Sequence, residues 1–260
     1  AMRQGIIDMA VGSTINWSPQ VKELNLFSLP FLMPDYAAMD ALTQGPVGTK
    51  IFEAIEDKGI MPIAWSENGF REVSNSKRPI TEPADLEGLK MRVVGSPLYN
   101  DTFTALGANP TQMSWADAKP ALTTGAVDGQ ENPLTVYDVA KIETVGQTYV
   151  TQWHYVADPL IFASNERVWE NFTPEDQAIL KQAAVDAGAY GIELARKGTT
   201  ADDQSLIKDL EARGAQFTEL TDEQRQKFVD ATREVYGKWK DRIGSDLVDL
   251  AEESIANRAQ

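Results

Sequence analysis

The stretch from Gly88 to Pro133 most restricts what this chain can become. It opens on an extended run, Lys90-Met-Arg-Val-Val94, and passes through a helical segment to Gly107-Ala-Asn-Pro110. After Trp115 a second helical segment stops at Gly125, and the chain turns extended again over Asp128-Gly-Gln-Glu-Asn132-Pro133. Strands alternating with helices are the pattern of an α/β protein. Arg92 stands mid-strand between Met91 and Val93, where a cation is costly unless something neutralises it.

The same alternation runs through the flanking sequence. Ala1–Gly5 reads as the end of a helix stopped by glycine, with a short buried strand over Ile6–Gly12. Ala1-x-x-x-Gly5-x-x-Asp8 has a counterpart in Ala121-x-x-x-Gly125-x-x-Asp128, compatible with chance or with two similar lobes. Leu24–Met33 reads as extended, a helix is predicted from Met33-Pro34-Asp35 to Lys58, and Ile60–Trp65 is a strand. Ser66-Glu-Asn-Gly69 has turn chemistry, and Phe70–Asn75 is extended. Tyr149–Phe162, rich in β-branched and aromatic residues, is a strand. Thr173-Pro174-Glu-Asp176 is a helix start, with a capping threonine, proline in the first turn and acids beside the positive helix end. Near-continuous helix is expected from Gln177 to about Glu211; at 1.5 Å per residue it would run about 50 Å and brace both lobes. A short strand over Phe217–Leu220 and a capping box at Thr221–Gln224 precede a last helix with Phe228, Val235, Trp239 and Ile243.

Composition removes several functions. The 260 residues carry a formal net charge of −15, the wrong sign for nucleic acid. There is no cysteine and one histidine, so thiolate chemistry is excluded and zinc sites or histidine triads have almost no material. No apolar run approaches the roughly 18–20 residues of a membrane helix. No phosphate loop, dinucleotide fingerprint or nucleophile elbow is present, so no cofactor is expected.

The polar groups that remain suit binding. Arg71 and Arg92 lie in strand-like segments; each either faces solvent or holds a carboxylate in a desolvated cleft, as a guanidinium fork does well. Asp128-Gly-Gln-Glu131-Asn132 is either a surface turn or a ligand loop, and a catalytic Asp128–Glu131 pair lacks a nearby nucleophile or metal. Trp115 and Trp153 sit beside polar loops, where an aromatic face can cover a ligand. His154, with Asp158 four residues on, is a packed or pairing histidine or a ligand contact. Ser13, Thr14, Asn16 and Trp17 follow the first strand and offer polar contacts.

The segments QGIIDMAVG, LFSLPFLMPDYAAMD, ENGFREVSNSKRPI, DLEGLKMRVVGSPLYNDTFTALGANPTQMSWADAKPAL, TTGAVDGQENPL and NFTPEDQAIL cover nearly the whole chain. Together they resemble the DctP-type substrate-binding proteins of tripartite ATP-independent periplasmic (TRAP) transporters. The resemblance implies a type II periplasmic-binding-protein-like fold, α/β, with two lobes that close at a hinge and a long helix across both. It places one lobe at 1–68 with 157–197 and the other at 69–156 with 198–260, the first without its opening strand, helix and strand. It implies Arg92 as the carboxylate anchor, Arg71 as a second arginine at the ligand, Trp115 as the cleft aromatic and Asn132 as the ligand amide. Ser13, Asn16, Trp17, Trp153 and His154 belong to regions that vary with substrate. The expected function is that of a periplasmic, monomeric, non-enzymatic receptor handing a small organic acid to a TRAP permease. The alternative is a sensor subunit of the same fold. The acid is a sugar acid, a C4-dicarboxylate or an aromatic or branched hydroxy acid, and the second arginine with the polar 13–17 loop favours a hydroxylated or two-anion ligand.

Overall fold

The structure, a computed structural model, describes residues 1–258. Among these, seven strands form one mixed sheet: β1 (Met9–Ser13), β2 (Ile60–Asn75), β3 (Lys90–Val93), β4 (Asn109–Gln112), β5 (Gly129–Pro133), β6 (Tyr149–Asn165) and β7 (Gln216–Glu219). The strand order is β1-β6-β2-β5-β3-β4. β2 pairs antiparallel along the whole of β6, whose other edge takes β1 at one end and β7 at the other. The α/β expectation therefore holds, and the two longest strands run side by side through the middle.

Helices flank the sheet: α1 (Thr14–Trp17), α2 (Tyr36–Gln44), α3 (Pro46–Glu56), α4 (Pro97–Ala105), α5 (Trp115–Thr124), α6 (Leu134–Val139), α7 (Glu166–Glu170), α8 (Pro174–Arg196), α9 (Ser205–Ala212), α10 (Asp222–Ile243) and α11 (Ser245–Ala256). The caps are those their residues dictate. Thr173 accepts the backbone N–H of Asp176, and Thr221 and Gln224 form a reciprocal capping box.

The core is divided. One cluster gathers Leu26, Phe27, Leu42, Ile51 and Ile161, together with Val235, Trp239 and Val248 from the last two helices. Another gathers Val73, Met91, Val93, Phe103, Trp153, Tyr155 and Phe228. A third lies beside it, around Leu122, Tyr137, Val150 and Leu210. β2 gives Phe70 to the first cluster and Val73 to the second; β6 gives Ala157 to the first and Val156 to the second. Both long strands thus cross from one core to the other at the same level.

Several local expectations need correcting. Leu24–Met33 is not extended: Lys22–Ser28 is a 3-10 helix whose residues from Leu24 onward are buried. A segment covered on all sides carries no single-face periodicity to reveal its type. The helix expected up to Lys58 breaks at Gly45-Pro46, because proline cannot continue a helix from its interior. Ser66–Gly69 is no turn but lies inside the 16-residue β2. Its turn-forming residues build a bulge between Glu67 and Gly69, with Gly69 at φ 95°. The buried strand expected at Ile6–Gly12 is an edge strand from Met9, and Ile6, Ile7, Met9 and Val11 are exposed.

The expected helix over 177–211 is two helices, α8 and α9, separated at Gly198, whose φ is 77°. α8 lies on the first half of β2, drawn close because Gly188 and Gly191 have no Cβ. An added Cβ would come within 2.2 Å of the Trp65 carbonyl oxygen at Gly188, or 2.4 Å of Ser66 Oγ at Gly191. The helix that reaches both cores is α10, with Phe228 in one and Val235 and Trp239 in the other.

Candidate ligand-binding cleft

β3 sits between β4 and β5, and its side chains alternate. Met91 and Val93 enter the core, which sends Arg92 to the opposite face. There the Arg92 guanidinium meets the chain after β4. Nε and Nη2 donate to the Met113 carbonyl oxygen at 3.1 and 2.8 Å. The guanidinium carbon lies 5.5 Å from the centre of the Trp115 ring. Trp115 opens α5 behind its capping residue Ser114 and is 39% exposed, an aromatic held at the rim. Arg92 is 3% exposed, yet among the described residues no carboxylate comes within ion-pairing distance of it. Burial lowers its pKa from the usual arginine value; the nearby Arg71 adds to this and Glu131 opposes it.

Arg71, on β2, has the opposite environment. The β2–β5 register sets it opposite Pro133, next to the Glu72–Asn132 pair. Its Nε and Nη2 donate to Glu131 Oε2 and Oε1 at 2.5 and 2.8 Å, and Nη1 donates to Asp158 Oδ2 at 2.9 Å. Nη2 also reaches the Glu131 carbonyl oxygen and Asn132 Oδ1. Tyr155 donates its hydroxyl to Glu131 Oε2 at 2.6 Å. Burial opposes the charge, but the Glu131 carboxylate overrides it and, with Asp158, holds the Arg71 pKa well above the ordinary value. Tyr99 and Tyr155 are pushed upward, mainly by burial, and remain neutral phenols.

Arg71, Arg92, Trp115, Asn132, Ser13 and Asn16 line one cleft of about 680 Å³. Asn68, Gln112, Ser114 and Asp158 complete its polar lining. Ser13 caps α1 by accepting the Ile15 N–H, and its hydroxyl donates to Asp158 Oδ1 at 2.5 Å. Asn132 is fixed at both ends, accepting from Arg71 and donating to Gln130 Oε1.

Three expected contacts lie elsewhere. Trp153 is fully buried, and its indole N–H donates to the Arg71 carbonyl oxygen, so it props the arginine strand from inside. His154 sits with Tyr36, Phe70, Gln152 and Thr199 in two smaller hollows. It occupies the third register break of β2–β6 at φ 49°, where the buried Glu72 carboxylate accepts the N–H groups of Trp153 and His154. Trp17 packs against Gly12, where an added Cβ would meet its indole at 3.0 Å.

Asn68 and Gln112 were not singled out in the sequence; Asp158 stood out only as a neighbour of His154, and Glu131 only beside Asp128. The signal that flagged Arg92, a charge inside an apolar strand, was also present for Asp158 in Tyr155-Val-Ala-Asp-Pro-Leu160. Asp128 and Glu131 are not a reactive pair: Asp128 accepts the Lys90 N–H and faces Lys77, while Glu131 is bound to Arg71. Among the described residues no cluster of acids and histidine could hold a metal ion, and no helix is long and apolar enough to cross a membrane.

The profile of bacterial extracellular solute-binding protein family 7, DctP, matches residues 1–242. A solved TRAP periplasmic solute-binding protein from Ralstonia eutropha H16, with bound (S)-2-acetolactate, is 65% identical and superposes with a TM-score of 0.98 over 99% of this chain and 82% of that one. A solute-binding protein of Verminephrobacter eiseniae is 36% identical over 86% of this chain. The 2,3-diketo-L-gulonate-binding periplasmic protein YiaO of Escherichia coli is 35% identical over 88%. The chain spans about two thirds of the length of these two relatives, 65% and 68%.

Proposed function

The chain belongs to the bacterial extracellular solute-binding protein family 7, and from that premise we propose that it captures a small organic acid at Arg92 in the periplasm and delivers it to a TRAP membrane permease. The observation that carries this reading is a buried guanidinium with a single carbonyl acceptor, open to a cleft. A ligand carboxylate would complete its hydrogen bonding and neutralise it, through charge-assisted bonds of about 1.5–3 kcal/mol each. Trp115 and Asn132 flank that carboxylate. The acids in the relatives' descriptions, (S)-2-acetolactate and 2,3-diketo-L-gulonate, fit this anchor. The protein belongs to a family of binding proteins, and we assign it capture without conversion.

Capture works by closure. The cleft is walled by β1–α1 on one side and by β3, β5 and the start of α5 on the other, so a ligand bridging them favours the closed arrangement. We place the hinge where β2 and β6 change cores, between Phe70 and Val73 and between Val156 and Ala157, giving lobes of about 1–70 with 157–197 and 71–156 with α9 and β7. The second half of α10 and α11 fold back on the first lobe. Arg71, occupied by two carboxylates, positions Asn132 and the cleft wall and does not take a second anion.

Thermal-shift screening against organic acids tests the assignment. A ligand at 100 times its Kd adds about 2.7 kcal/mol to stability. At least one carboxylate should raise the melting temperature of the wild type and leave Arg92→Ala unmoved. An equal shift in both proteins would overturn the assignment. Recovery of the ligand chemically unchanged checks capture without conversion.

A further inference from the structure

Asp158 is the sole carboxylate among the residues lining the cleft, and it lies in the wall that includes Ser13 and Asn68. It is 1% exposed and accepts from three donors: Ser13 Oγ at 2.5 Å, Asn68 Nδ2 at 3.1 Å and Arg71 Nη1 at 2.9 Å. An ionised carboxylate can only accept, so its neighbours must turn their protons toward it. The Ser13 proton is thereby committed. Its oxygen accepts the Ile15 N–H and keeps a further lone pair. The Asn68 amide, held through one Nδ2 proton, keeps its carbonyl oxygen as a free acceptor and its second proton as a donor.

The two ends of the cleft therefore differ in hydrogen-bonding sense. Around Met113 and Trp115 the Arg92 guanidinium and one Asn132 amide proton are free donors beside the Gln112 amide, which offers both senses. Around Asp158 the Ser13 and Asn68 oxygens are acceptors backed by a negative charge, with the Asn16 amide and the second Asn68 proton beside them. With Glu131 and Asp158 both held by Arg71, Arg92 is left without a carboxylate partner, so one added anion is matched there and a second, near Asp158, meets like charge.

Resting on the reading of Arg92 as carboxylate anchor, we propose that the Ser13–Asp158–Asn68 wall selects monocarboxylates that carry a hydroxyl, and rejects both their deoxy analogues and dicarboxylates. A ligand hydroxyl donates to this wall; a methylene there leaves the acceptors unpaired, and a second carboxylate meets lone pairs and charge. A site built to bond a hydroxyl rejects the analogue lacking it far more strongly than an apolar pocket separates ligands by size. Asp158 is a positioning residue: it acts by orienting Ser13 and Asn68.

The test is calorimetric titration of the purified chain with four-carbon acids of matched size: 2-hydroxybutanoate, 3-hydroxybutanoate, butanoate and succinate. At least one hydroxybutanoate should bind about tenfold or more tighter than butanoate and succinate. In Asp158→Asn the hydroxy-to-deoxy ratio should fall to about threefold or less and succinate should gain affinity, whereas a merely structural loss would weaken all four acids alike. If Asp158→Asn does not fold, Ser13→Ala gives the second reading. It keeps the carboxylate but removes the oriented hydroxyl, and the ratio should fall at least about threefold. Equal binding of all four acids by the wild type, or an unchanged ratio in the variants, overturns the selectivity. Failure of the wild type to bind any carboxylate overturns the Arg92 reading instead.

Discussion

Arg71 and Arg92 line the same cleft and are buried to the same degree, yet one is saturated and the other is not. Arg71 ends between the Glu131 and Asp158 carboxylates, with the Asn132 amide as a further acceptor. Arg92 ends on one main-chain carbonyl and the face of an exposed tryptophan. The difference shows that a buried arginine identifies a binding group only when its partners have been counted. On the proposed reading the paired Arg71 is scaffold and the under-partnered Arg92 is where the ligand anion binds.

Breaking the saturated side should have the largest effect. Arg71→Ala leaves two buried carboxylates without their cation and should lower folding stability by about 3–5 kcal/mol in denaturant titration. Arg92→Ala should do the reverse: about 2–5 kcal/mol lost from acid binding by calorimetry, with stability reduced by no more than about 1.5 kcal/mol. Glu131→Gln exchanges the Arg71 fork for a weaker contact and should lower stability by about 1.5–3 kcal/mol. Trp115→Ala, at the rim, should weaken binding by about 0.5–1 kcal/mol and leave the melting temperature of the free protein unchanged. Were Arg71→Ala to spare stability and abolish binding alone, the two arginines would have been assigned in reverse.

Much of the fold was legible because its signals are local. Gly125 at φ 72°, the Thr173 and Thr221 caps and the β-rich run from Tyr149 announce themselves without tertiary context. Two of the failures share one cause, a neighbour overriding the local preference, whereas the helix breaks at Pro46 and Gly198 come from local residues. Ser66-Glu-Asn-Gly69 has the residues of a turn, but pairing with β6 keeps it in the strand as a bulge. Leu24–Ser28 is buried on every side, so its hydrophobicity shows burial and conceals geometry.

In the site, strand alternation around Arg92 was readable, and Ser13, Asn16, Arg71, Trp115 and Asn132 do converge on its cleft. The status of Arg71 was not readable, because Glu131 and Asp158 lie 60 and 87 residues away in sequence and meet it only through sheet register. The second arginine and the polar 13–17 loop favoured a hydroxylated or two-anion ligand; counting partners leaves one cation without a carboxylate. Trp153 has the side chain of a ligand wall, but its place on β6 points it into the core.

The most direct test is a cycle of two ligands and two proteins: an acid found by the thermal screen and its neutral amide, titrated into the wild type and Arg92→Met. If Arg92 meets the carboxylate, the wild type prefers the acid by at least about tenfold and the variant by about twofold or less. The same preference for the acid in both proteins would contradict it.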